Sequence, residues 1–191
     1  GRHFTSTSAV IYKSLIDAAW MARSLMHETA AQEFEFYANK IRVNIQNKLF
    51  DKQTMEVRSS LEGRTKDVFI DASTTTLINY IFTPQDDISR AVITTIEKHL
   101  SKAGKPLIIE KYSYDIFGHK LSIFSNLQLV ESYYRMKQNT KGGKIMNTIT
   151  EMAAQNQFFL PAYLNTIFSS YQQPVSIKSH AAYLKAIQHK N

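Results

Sequence analysis

Apolar residues recur along this chain at the three-to-four spacing of helix faces. Between Ser8 and Met26 the positions Ile11, Leu15, Ala18, Ala19, Ala22 and Leu25 keep that period without Gly or Pro. Trp20 and Met21 widen the stripe, which predicts a helix buried on more than one side. Thr29 with Gln32 resembles a capping box, and Phe34, Ala38, Ile41, Ile45 and Leu49 then form one face of a second helix. Asp51-Lys52-Gln53 breaks the period, Met55 to Arg58 alternates like a short extended segment, and Gly63 marks a loop. A third helix is expected from Ala72 to about Phe82, against the low propensity of Thr74-Thr75-Thr76. The next start is the best marked: Thr83 as N-cap, Pro84 at the first helical position, Asp86 and Asp87 in the first turn. Ile88, Val92, Ile96 and Leu100 repeat behind it until Gly104 and Pro106 end the run.

Leu107 to Tyr114 is β-branched and aromatic and reads as extended, leading into Gly118. Helices are predicted from about Ser122 to Met136 and from Lys144 to Gln155, with loops around Pro161 and Pro174. The last helix, Lys178 to about Gln188, carries Ala181, Leu184 and Ile187 on one side. About seven helices joined by alternately short and long connections, with no strict repeat, give an all-α fold of stacked helical hairpins.

Composition narrows the function classes. At 191 residues the chain is one domain or part of a larger one, and 43% hydrophobic content supports a sizeable core. Cysteine is absent, which excludes disulfides, thiolate metal sites and cysteine nucleophiles; the compartment stays open, with the balance tilting to the cytoplasm. Apolar runs such as Ala18 to Ala22 are too short to span a membrane. Gly1-Arg2-His3-Phe4 has neither an initiator Met nor a signal-like stretch, so the chain is expected to be cut from something longer. The net charge of +7 is carried by scattered lysines, and the densest stretch, Lys137 to Lys144, lacks interleaved aromatics. That is the pattern of a solvated face rather than a nucleic-acid groove, so neither nucleic acid nor membrane is an expected partner.

The six histidines form no metal pair at helical spacing with a third ligand, and no cofactor or metal is expected. There is no phosphate loop and no nucleophile elbow. Asp67, Asp71, Glu110, Asp115 and Glu131 remain as carboxylates placed in loops or aromatic surroundings where a pKa could shift, although their spacing defines no pair. A generic helical-repeat interaction domain, its aromatics serving only as core, is the plain reading of the residues.

Several segments, taken in order, resemble a known family. Gly1-Arg2-His3-Phe4-Thr5 and the helix after it, Lys111-Tyr112-Ser113-Tyr114-Asp115, Gly118, Glu131-Ser132-Tyr133-Tyr134, Leu160-Pro161-Ala162-Tyr163, and Pro174 through Ser179-His180-Ala181-Ala182 are similar to the C-terminal half of glycoside hydrolase family 15. These are the glucoamylase and trehalase-like six-hairpin glycosidases. The resemblance implies that residues 1–191 are the C-terminal portion of an (α/α)6 toroid of antiparallel helical hairpins. The missing N-terminal half, or an oligomer, would close it. It also implies inverting hydrolysis of an α-glucosidic bond at the non-reducing end of an α-glucan or α-glucoside, by one carboxylic acid and one carboxylate base.

Lys111, Tyr112, Asp115 and His180 fall at the substrate-contacting positions that the resemblance implies, and the loops before Tyr112 and Pro161 would share one rim. The match departs from the family at its chemistry. The general acid would precede Gly1, and Ala162 stands at the expected general-base position, where it can neither accept a proton nor orient water. Lys111 replaces the usual Arg and loses a bidentate fork, and Leu121 and Lys178 replace tryptophans. The parent is therefore expected to be either a glucoamylase-like hydrolase or a catalytically degenerate member kept as a carbohydrate-binding or regulatory helical module. The fragment alone is expected to be inactive.

Overall fold

The computed structural model describes residues 4–61, 70–102, 105–109, 121–155, 157, 159–161, 163–164 and 176–190. Seven α-helices make up most of them: α1 (Thr5–Ser24), α2 (Glu28–Lys48), α3 (Thr76–Tyr80), α4 (Asp87–Leu100), α5 (Ile123–Arg135), α6 (Asn139–Gln155) and α7 (Ile177–Gln188). Three short antiparallel ladders join β1 (Phe50–Asp51) to β2 (Glu56–Val57), β3 (Ser101–Lys102) to β4 (Lys105–Ile109), and β5 (Leu121–Ser122) to β6 (Tyr163–Leu164). The fold is all-α, built of antiparallel helical hairpins, as the periodicity predicted. The chain divides into two compact units, residues 1–69 with 76–95 and residues 70–75 with 96–191.

In the first unit α1 and α2 form a hairpin whose seam is small. Ala9, Ala19 and Ala22 of α1 and Ala31, Ala38 and Ile45 of α2 are buried. The expectation that Trp20 and Met21 widen the buried stripe of α1 is wrong: they are 69% and 52% exposed, and Ile11 and Leu25 are exposed as well. Alanines bring two backbones close together, and a close seam leaves room only for the narrow side chains nearest the contact. The α2 face appears as predicted, with Ala38, Ile45 and Leu49 buried. Thr29 is not the N-cap, because α2 begins two residues earlier than such a cap requires, at Glu28 after His27.

The joint between α1 and α2 explains that early start. Met26 adopts φ 61°, the His27 N–H donates to the Ala22 carbonyl at 2.8 Å, and the Met26 N–H donates to that of Arg23 at 2.9 Å. This is a Schellman motif with a non-glycine residue in the left-handed position. The α5–α6 hairpin of the second unit repeats it. Lys137 has φ 56°, the Gln138 N–H donates to the Tyr133 carbonyl, and the Lys137 N–H to that of Tyr134. A side chain in this conformation is disfavoured, and Met26 is 91% exposed, so its side chain contributes little. Met26→Gly is therefore expected to raise stability by about 0.5–1 kcal/mol, checked by chemical denaturation.

Two other boundaries moved. Helix α4 starts at Asp87, not Pro84, because the Asp86 carboxylate folds back to accept the Thr83 N–H at 2.7 Å and the Thr83 hydroxyl at 3.0 Å. Residues 83–86 thus close a turn of their own, and the Asp86 carbonyl accepts the Ser89 N–H as the helix opens. The predicted helix from Ala72 becomes a 3-10 turn over Ala72–Thr75 followed by α3. Asp71 caps that turn, its side chain accepting the Ser73 N–H at 2.9 Å. Ile88, Val92, Ile96 and Leu100 are buried as expected.

The second unit is organised around α5, which is buried along almost its whole length and packs against α6, α7, β4, β5 and β6. Helix α6 starts five residues before the predicted Lys144, running through Gly142 and Gly143. Gly142 is required there: a Cβ would stand 2.8 Å from Cε1 of Tyr134, whose ring fills the space. Burial raises the Tyr134 phenol pKa. Helix α7 buries Ser179 and Ala186, whereas Leu184, one of the residues expected on its apolar side, is 64% exposed and Ala181 and Ile187 are also exposed.

Candidate functional site

Both segments that the sequence singled out are reached from the N-terminal ends of α5 and α7. Strand β5 leads into α5 and pairs with β6, so that Leu121 lies opposite Leu164 and Ser122 opposite Tyr163. The ladder therefore sets Leu121 and Ser122, which follow the tyrosine-bearing segment in the chain, against Tyr163 and Leu164, just after Ala162. Ser122 fixes the corner. Its hydroxyl caps α5 by accepting the Ser125 N–H at 3.2 Å, and its carbonyl accepts from Asn126 Nδ2 at 2.8 Å. These are buried polar groups with partners, the arrangement that makes a rigid corner.

The first turn of α7 holds the chain just before Ala162, at Leu160 and Pro161. Ser176 caps the helix, accepting the Ser179 N–H at 3.2 Å, and its own N–H donates to the Leu160 carbonyl at 2.9 Å. The fully buried Ser179 donates its hydroxyl to the Pro161 carbonyl at 3.2 Å. His180 completes the grip: the Leu160 N–H donates to Nε2 at 3.3 Å, and Nδ1 faces the Ser176 carbonyl at 2.9 Å. A nitrogen that accepts a peptide N–H carries no proton, so the proton sits on Nδ1 and is donated to Ser176. Both ring nitrogens of His180 are thus engaged by backbone. Lys111, Tyr112, Asp115 and Ala162 lie outside the described residues, as do Asp67 and Glu110.

Of the carboxylates that the sequence singled out, Asp71 and Glu131 lie among the described residues, and both have structural partners. Glu131 is buried on α5, and one oxygen, Oε1, meets Arg135 Nε at 3.2 Å, Lys185 Nζ at 2.9 Å and His189 Nε2 at 3.6 Å. It binds α7 to α5 at the C-terminal ends of both helices. Glu97 plays a similar part, accepting from the Tyr133 hydroxyl at 2.8 Å and pairing with Lys141 at 2.5 Å. Burial first, then the bond to Glu97, pushes the Tyr133 phenol far above its ordinary range, so it stays a donor. The serine grip on Leu160 and Pro161 was missed in the sequence. Its only local signal is the Ser176 and Ser179 spacing that suits an N-cap.

No protein-family model matches the chain, and no curated protein matches it either. Solved structures do. A glycosidase variant in complex with glucose superposes with a TM-score of 0.79 at 17% identity, over 99% of this chain and 52% of that one. A wild-type glycosidase gives 0.77 at 17% identity, over 98% and 52%. A sialidase gives 0.67 at 12% identity, over 96% of this chain and 19% of its own. The chain has the fold of these glycosidases and spans about half the length of the first two. At such identities the likeness is one of fold alone.

Proposed function

We propose that the chain is the C-terminal portion of a six-hairpin glycosidase-like domain that receives an α-glucan or α-glucoside where the segments ending at Leu121 and beginning at Leu160 meet. The observation that supports this reading is the Ser122–Tyr163 ladder: it pairs Leu121–Ser122, which follow the tyrosine-bearing segment in the chain, with Tyr163–Leu164, which follow Ala162, within a fold shared with glycosidases. In this reading Lys111, Tyr112 and Asp115 contact the glucosyl unit, and a proton donor comes from the part of the domain preceding Gly1. Such sites form where loops converge at one end of packed helices.

Ala162 favours a second reading, in which the domain binds the sugar without cleaving it, because a methyl group offers no base for the attacking water. The complete protein distinguishes the two. Glucose release from maltose by the unaltered protein supports a hydrolase. Binding of maltose without release, converted to release by Ala162→Glu, supports the degenerate module. Neither binding nor release of any α-glucoside would overturn both readings.

A further inference from the structure

From the geometry of the α7 N-terminus we propose that His180 is a proton-operated latch that holds the Leu160 peptide N–H when its ring is neutral and lets it go when protonated. The bonds around it have different chemistry. Ser176 N–H to Leu160 O and Ser179 hydroxyl to Pro161 O involve groups that do not titrate. The Leu160 N–H to His180 Nε2 bond is the exception, because it needs a bare ring nitrogen. A proton on Nε2 turns that acceptor into a donor facing a donor, and the peptide group must turn away. The imidazole is then also a cation in the first turn of a helix, where the dipole disfavours positive charge.

Among the described residues His180 makes no ion pair. Lys178 stands exposed on the same first turn. Glu131 and Arg135 of α5 meet Lys185 and His189 at the opposite end of α7. Helix α6 reaches α7 through the neutral pair Thr150 and Tyr183. The latch thus meets no counter-charge among the described residues. It rests on the proposed function only for its consequence, which is that sugar binding at the adjoining segment becomes pH-dependent. The device itself is read without sugar.

The test uses the whole chain labelled with nitrogen-15. At pH 8 long-range nitrogen–proton spectra are expected to show His180 protonated at Nδ1 and bare at Nε2, the reverse of the tautomer that free histidine favours. The Leu160 amide is expected to lose about tenfold in exchange protection between pH 8 and pH 5. In His180→Ala that protection is expected to be low at both pH values, and in Ser179→Ala the pH response should remain. Finding the proton on Nε2, or a Leu160 protection indifferent to pH and to His180→Ala, would overturn the latch. An intact latch response in a protein that binds no α-glucoside at any pH counts against the proposed function and leaves the latch standing.

Discussion

Replacing Arg135 and Lys185 together by methionine is expected to lower the unfolding free energy by about 3 kcal/mol, measured by chemical denaturation. The reason is asymmetry within one cluster. Glu131 is only 4% exposed, whereas Arg135 and Lys185 keep about a third or more of their side-chain surface in water. Removing the cations strands a buried carboxylate with His189 alone, and a stranded charge costs far more than an exposed pair contributes. The decisive control is the same double variant carrying Glu131→Met. An apolar side chain of similar length needs no counter-charge, so most of the loss should return. A double variant losing less than about 1 kcal/mol would mean that water reaches Glu131.

Opposite signs at adjacent glycines are the second large effect. In a helix interior Gly→Ala ordinarily stabilises by about 0.5–1 kcal/mol, and Gly143→Ala should do so, since nothing lies within 4 Å of the Cβ it would carry. At Gly142 the same change is expected to destabilise by about 2 kcal/mol. Its Cβ would press on the Tyr134 ring edge at 2.8 and 3.0 Å, and that ring is itself buried. Thermal or chemical denaturation of the two variants checks this directly, and a gain at both positions would show that the ring can move aside.

Part of the candidate site was legible in the sequence and part was not. The order of the segments around Tyr112, Ala162 and His180 gave the glycosidase resemblance, and the glycosidase fold of the solved neighbours agrees with it. The placement of His180 in a helix followed from period alone. Its bonds to Leu160 and Ser176 did not, because a histidine looks the same in sequence whether it faces sugar or peptide. The β5–β6 pairing was equally silent: two-residue strands carry no alternation to read. Glu131 was picked out as a carboxylate in unusual surroundings, but the cations of α7 that surround it lie far along the chain.

By itself the sequence determined that the chain is helical and hairpin-built, and it fixed the inward faces of α2 and α4, where large apolar residues fall at one period. Those are local properties, set by side chains three and four apart. Tertiary structure decided which face of α1 is covered, why α6 runs through two glycines, and which peptide groups meet at Ser122, Ser179 and His180. Each depends on a partner distant in sequence. Alanines buried in place of Trp20, and a glycine kept for Tyr134, follow from the space such a partner leaves rather than from hydrophobicity.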